Sequence, residues 1–167
     1  HPIDPRVDVQ RKYPFLGRAL PLTWIHFLSR FFPPLYISHI TGLCSPGGSK
    51  AEGWLVACPF TPQRMMTLPT SVVYRKIVRT GQLAKKLGAR LLGLGAFTHI
   101  VGDAGVTIDR CLDIPVTTGG SYTVVSALQA ARAAADRLEL SLSEATVAVV
   151  GAAGAIGRVS ARLLARE

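Results

Sequence analysis

Charged side chains are scarce in this sequence. Lys, Arg, Asp and Glu make up 17% of its 167 residues, against 49% hydrophobic residues and a mean hydropathy of +0.31; a soluble domain ordinarily carries about a quarter charged residues. Such a chain has apolar surface for something else to cover: further polypeptide, a partner or a membrane. Cysteine is scarce as well. Cys44, Cys58 and Cys111 are far apart and odd in number, with no CxxC pair and no Cys/His cluster at zinc spacing, so a disulfide framework and a bound metal are not expected. Reduced thiols in a cytoplasmic protein are. No apolar run reaches the roughly 20 residues that cross a bilayer, and no cationic start leads into an apolar stretch, so no signal peptide is read. The chain opens on His1, and the expectation is that it starts after an omitted stretch.

Acidic residues are the minority: 10 Asp and Glu against 19 Lys and Arg give a formal charge of +9. That balance favours anionic partners such as phosphates, acidic proteins or anionic lipids. The basic residues are scattered over several segments without a nucleic-acid-binding motif, which argues against nucleic acid.

Along the chain, a polar opening dozen is followed by an aromatic and apolar segment from Pro14 to Ile40. Pro21 suits a helix start and Pro33-Pro34 a stop. Within that helix Leu20, Trp24, Phe27, Leu28 and Phe31 share a face, opposite Thr23, His26 and Arg30. The face either packs on its own domain or lies in a membrane interface. Leu35–Leu43 and Ala51–Phe60 read as strands joined through Ser45-Pro46-Gly47-Gly48-Ser49, a hairpin. Thr61-Pro62 is a cap followed by a first-turn proline, and Pro69 repeats the signal. Val73, Ile77, Ala84 and Leu87 form an apolar stripe that ends at Gly88. Arg75, Lys76, Arg79, Lys85 and Lys86 are expected on the solvated surface.

Ala89–Phe97 is expected as a buried strand whose Gly93 and Gly95 allow close approach of a backbone or ligand. The loop Thr98–Gly105 then falls at a strand's carboxyl end, where open α/β sheets place ligands. A further strand is expected in Cys111–Thr117, and a helix from Gly119 to about Leu138 with Val125, Leu128, Ala131, Ala135 and Leu138 inward. This order indicates an α/β layered domain.

The chemistry is carried by the last segment. Thr146–Val150 is an uncharged β-branched run, the pattern of a central parallel strand. It leads into Gly151-Ala152-Ala153-Gly154-Ala155-Ile156-Gly157 and a helical stretch beginning at Arg158. In this context Gly151 permits the tight turn, Gly154 lets backbone approach a pyrophosphate, and Gly157 lets the helix pack close. The helix start offers N–H groups and partial positive charge to phosphates. The spacing is GxxGxxG rather than GxGxxG, and the acidic residue that would hold the ribose falls beyond Glu167, so the chain is expected to end inside this domain. Arg158 hints at a 2′-phosphate, hence NADP(H), with NAD(H) left open. A second candidate is Thr117-Thr118-Gly119-Gly120-Ser121-Tyr122-Thr123, a hydroxyl-bearing helix start suited to an anion or carbonyl oxygen, or to simple capping by Thr117 or Thr118.

From about residue 50 onward, Leu94-Gly95-Ala96-Phe97-Thr98 with Ile100, Thr117-Thr118-Gly119, and Ala145–Ala152 with Gly154, Ile156 and Gly157 resemble the cyanobacterial-type long-chain fatty acyl-ACP reductases (ACP, acyl carrier protein) and bacterial relatives known as predicted amino-acid dehydrogenases. The resemblance implies a three-layer, amino-acid-dehydrogenase-like α/β substrate-binding domain leading into a truncated Rossmann domain. In this chain the divisions are 1–34 (apolar and aromatic), 35–144 (substrate domain) and 145–167 (start of the cofactor domain). It implies NADP(H) at Gly151, Ala152, Ala153, Gly154, Ala155, Ile156, Gly157 and Arg158, and substrate near Thr98, Thr117, Thr118, Gly119, Ser121 and Tyr122. The activity implied is reduction of an acyl thioester, on ACP or CoA, to an aldehyde through a nucleophilic cysteine beyond residue 167. Cys58 matches a cysteine common in the family but suits buried filling better than catalysis. Gly120-Ser121-Tyr122 departs from the family pattern and leaves acyl specificity open. Competing readings are a dehydrogenase of a small amino-acid-like or shikimate-like substrate, and a non-catalytic module that binds lipid or carrier protein. The expected setting is cytoplasmic, with peripheral membrane contact through 14–34.

Overall fold

The computed structural model describes Val7, Gln10 and residues 14–166; most of the polar opening dozen lies outside the described residues. The fold is α/β, and its residues gather into two compact units, His1–Thr118 and Gly119–Glu167.

In the first unit, helix α1 (Pro14–Ala19) and helix α2 (Leu22–Ser29) precede strands β1 (Leu35–Cys44) and β2 (Lys50–Ala57). The two strands pair antiparallel, Leu35 opposite Ala57 and Cys44 opposite Lys50, and close through the expected turn, where Ser49 N donates to Ser45 Oγ at 3.1 Å. Helix α3 (Pro62–Thr67) starts where the cap signal lies: Arg64 N donates to Thr61 Oγ1 at 3.3 Å. Helix α4 (Thr70–Lys86) follows Pro69 and ends in a Schellman motif, Gly88 N bonding Lys85 O at 2.9 Å and Ala89 N bonding Ala84 O at 3.1 Å. Val73, Ile77 and Ala84 are buried on it as the periodicity predicts. They meet Phe60, Leu92, Leu94 and Ile108 in one core.

Three expectations for this unit give way. The strand over Ala89–Phe97 shrinks to β3 (Leu92–Gly93), and that over Cys111–Thr117 to β4 (Val116–Thr117). The two run parallel, Leu92 opposite Val116; beyond them Gly95 leads straight into a 3-10 turn, Ala96–His99, which takes the chain out of the ladder. Lys76 is buried instead of solvated. Among the described side chains of α2 the buried ones are Ile25 and Ser29, one turn apart, while Trp24, Phe27 and, just past the helix, Phe31 are 56%, 53% and 69% exposed. Trp24 and Phe27, three residues apart, share one side of this eight-residue helix, and a line of contact through Ile25 and Ser29 leaves that side uncovered. The side chain of His26 lies outside the described ones.

The second unit pairs α6 (Gly120–Arg137) with α7 (Ala155–Leu164); α5 (Val106–Arg110) belongs to the first. Helix α6 buries Val124, Leu128 and Ala135, whereas Val125 and Leu138, expected inward, are exposed. The inward line is Val124–Leu128–Ala135, offset by one residue from Val125. Thr146–Val150 forms no strand, and Val150 is 99% exposed. A parallel strand is made by neighbours on both sides, and no described residue pairs with this one. Helix α6 and the glycine turn belong to the same compact unit.

Candidate functional site

In the first unit the two parallel strands bring their carboxyl ends side by side. Leu94 N donates to Thr117 O at 2.8 Å just past the ladder, so Thr98 and Thr117-Thr118 leave the pair at the same end. Thr98 spends its hydroxyl on Gly95 O at 2.6 Å, closing the 3-10 turn. Gly105, φ +93°, passes over the strand ends: a Cβ there would stand 2.8 Å from Leu94 Cδ1 and 3.8 Å from Thr118 Cγ2.

The loop is fastened by side chains. Tyr74 reaches across from α4, its hydroxyl donating to Asp103 Oδ1 at 3.0 Å and accepting from Asp103 N at 2.9 Å. Asp103 Oδ2 accepts from Thr107 N at 3.0 Å and Thr107 Oγ1 at 2.5 Å. The Thr107 hydroxyl, foremost among these donors, holds the Asp103 carboxyl below its ordinary range. Gly102, φ +69°, sits under the Tyr74 hydroxyl, where a Cβ would fall only 1.9 Å away. Within this loop, His99 keeps a buried Nδ1. Tyr74, Asp103 and Thr107 were not singled out from sequence; an acid four residues ahead of a threonine at a short helix's start is the local signal that was there to be read.

A second buried polar group lies behind the hairpin. Lys76 Nζ donates to Arg30 O at 2.9 Å and Phe32 O at 2.7 Å, and stands 5.1 Å from the Phe60 ring centroid. Burial pushes the Lys76 ammonium down and, close by, the Cys58 thiol up. Cys58, just past β2, is therefore a protonated, packed thiol, as its sequence position suggested.

The second unit holds the remaining residues. Gly119, φ +72°, caps α6, and Tyr122 in the first turn is 79% exposed; Ser121 beside it is exposed too. The glycine turn is built by backbone. Gly151 takes φ +78°, its carbonyl accepts from Gly154 N at 2.9 Å, and Gly154 caps α7. A Cβ on Gly157 would lie 2.3 Å from Gly151 O and 2.8 Å from Gly151 C, so only glycine lets the helix close onto the turn. The first helical bond is Arg158 N to Gly154 O at 2.9 Å, which leaves the N–H groups of Ala155, Ile156 and Gly157 pointing out of the helix end. Gly151 to Ile156 are exposed, as is Arg158. An exposed turn of small residues, with N–H donors at a helix start, is a donor set that fits a diphosphate.

Charge is distributed more sharply than its scatter suggests. Between Asp8 and Asp103 the sequence holds twelve Lys and Arg and one acidic residue, Glu52, which meets His39 Nε2 at 3.1 Å on the hairpin.

No family model matches the chain. It is 30% identical over 122 residues to the aminotransferase PigE of a Serratia species, an alignment covering 73% of this chain and 14% of that protein. It is 30% identical over 139 residues to the long-chain acyl-ACP reductase of Synechococcus elongatus, covering 79% of this chain and 40% of that protein. The chain thus spans less than half the length of either relative. Over most of its own length it is similar to the cyanobacterial long-chain acyl-ACP reductase, in line with the motif resemblance.

Proposed function

We propose that this chain is the N-terminal part of an NADP(H)-dependent oxidoreductase that reduces a fatty acyl thioester, carried on ACP or CoA, to an aldehyde. The observation that carries it is the Gly151–Gly157 turn, where a methyl group on Gly157 would strike the Gly151 backbone at 2.3 Å. A glycine demanded by backbone contact, at the start of a helix with outward N–H groups, has a physical reason to be there that a plain connection lacks. Similarity to a long-chain acyl-ACP reductase supports the substrate class.

In this reading the turn from Gly151 through Ala152, Ala153 and Gly154 lets the diphosphate approach, the outward N–H groups of Ala155, Ile156 and Gly157 hold it, and Arg158 meets the cofactor's remaining negative charge. A cofactor bound there would supply hydride to the acyl carbon; the carbon–sulfur bond breaks, the thiol departs as a thiolate that takes up a proton, and the aldehyde is left. The substrate approaches the carboxyl ends of β3 and β4 at Thr98, Thr117 and Thr118, with Gly119, Ser121 and Tyr122 next along the chain. The substrate and cofactor parts are residues 35–144 and 145–167, the former a layered domain and the latter the opening of a Rossmann domain. The protein works in the cytoplasm, in peripheral contact with a membrane through 14–34.

The test is titration of NADPH and NADH into the intact protein and its Gly154→Asp variant. A carboxylate at the turn repels the diphosphate, and we expect NADPH affinity to fall about a hundredfold, equivalent to about 3 kcal/mol. Equal binding by both proteins removes the turn from the cofactor site.

A further inference from the structure

We propose that the first unit docks on anionic lipid bilayers through one face made of two halves: the aromatic side of α2 and the cationic stripe of α4 beside it. This rests on the membrane contact in the reading above, and adds the lipid charge and the second half of the surface.

The aromatic side is presented by a helix held from behind. Ile25 and Ser29 are buried, and Lys76 ties the carbonyls of Arg30 and Phe32 to α4. The rings on the open side are ordered among themselves: Trp24 and Phe27 meet edge to face at 6.3 Å, Phe27 and Phe31 at 5.6 Å. Phe32 adds a further exposed ring, and Arg30 is exposed between them.

On α4, Arg75, Arg79, Gln82 and Lys86 are all exposed and recur at the spacing of a single helix stripe. A groove lined by Pro33, Pro34, Arg79, Gln82, Leu83 and Lys86 joins this stripe to the end of the aromatic segment. No acidic residue lines this groove; Asp113 stands at the far end of the stripe beside Gln82 and Lys86, where it is paired with Lys85. Cations alone would suit an acidic protein equally well. Trp and Phe rings in line, edged by Arg, suit the headgroup layer, where an amphipathic ring buries its apolar body and nearby cations meet lipid phosphate. No helix among the described residues is long and apolar enough to cross the bilayer, so the contact lies along the surface.

The experiment is co-sedimentation of the intact protein with vesicles of phosphatidylcholine alone and of phosphatidylcholine with phosphatidylglycerol. We expect about tenfold tighter binding to the anionic vesicles, weakened by salt. Binding should be lost by about the same factor in Trp24→Ser/Phe27→Ser/Phe31→Ser and, separately, in Arg79→Glu/Lys86→Glu. Quenching of tryptophan emission by bromine-labelled lipid in the unmodified protein, reduced in Trp24→Phe, reads insertion without any destabilising change. Equal binding to both vesicle types, or unchanged binding by the charge-reversed variant, overturns the two-part anionic face while leaving a bare interfacial helix. No binding to either vesicle overturns the membrane contact as well. Unchanged vesicle binding together with lost capture of acidic carrier protein assigns the stripe to a protein partner and also overturns the proposal. None of these outcomes depends on NADPH.

Discussion

Two glycine-bearing loops in this chain hold their shape by opposite means. The Thr98–Gly105 loop is fastened by side chains, with Tyr74 and Thr107 converging on Asp103. The Gly151–Gly157 turn is shaped by side chains that are missing, its helix lying against bare backbone at Gly151. A loop of the first kind can lose one bond and keep the others. A turn of the second kind has no spare fastening, because one methyl group occupies the space that defines it. It also keeps the N–H groups of Ala155, Ile156 and Gly157 uncovered, which suits a ligand bound by backbone, whereas in the first loop Thr98 and Asp103 have spent their polar groups on hydrogen bonds within the protein.

The sharpest way to break the contrast is Gly157→Ala. Its Cβ meets main-chain atoms at 2.3 and 2.8 Å, which no rotamer change relieves, so α7 has to lift from the turn. Overpacking of this kind costs about 1–3 kcal/mol. We expect NADPH affinity to drop by about a hundredfold, measured by titration of the intact protein. Unchanged affinity would mean that closure of helix onto turn has no part in binding.

Gly102→Ala asks the same question of the other loop and should hurt somewhat less. The obstacle there is the Tyr74 hydroxyl, 1.9 Å from the new Cβ, the far end of a side chain that can swing away. Doing so breaks its two bonds to Asp103, and the residue is also held at φ +69°. Together these cost about 2 kcal/mol, read as a lower melting temperature with cofactor affinity intact. Tyr74→Phe isolates the bonding part alone. It should lower stability by about 1 kcal/mol in denaturant unfolding; a larger loss would show the hydroxyl to be the main fastening rather than one of several.

How much of this was legible beforehand follows from the range of each signal. The Ser45–Ser49 hairpin, the Thr61 cap and the Gly88 stop were readable because turn and cap chemistry act within a few residues. The burial of Lys76 was not, because the carbonyls that satisfy it belong to Arg30 and Phe32, 46 and 44 residues away in sequence. Nor was the exposure of Trp24 and Phe27, since periodicity finds an apolar face without saying what covers it. Thr146–Val150 has the composition of a central strand, but composition supplies no neighbour to pair with. The candidate site divides the same way: the glycine positions were legible because each has a local backbone reason, while Tyr74 and Asp103, 29 residues apart, meet only in the fold. The grouping of cations before Asp103 lay open in the sequence, and needed acids to be counted by segment rather than in total.

The smallest effect is also the most specific to the side-chain-fastened loop. Asp103 is held below its ordinary range, chiefly by the Thr107 hydroxyl and then by the Thr107 and Tyr74 groups around it. A carboxylate depressed in the folded state binds protons more weakly there than in the unfolded chain. Its stabilisation is therefore complete above the ordinary carboxylate value of about 3.9 and is lost as pH falls through the depressed native value. Asp113, lowered by its bond to Lys85, titrates in the same sense. Melting temperature should thus fall between about pH 5 and pH 2 in the unmodified protein and fall less steeply in Asp103→Asn, with the slope from Asp113 remaining. Parallel curves for the two proteins would mean that the Thr107 and Tyr74 bonds do not prefer the ionised carboxylate, and the first loop would then be held by packing and backbone, much as the second is.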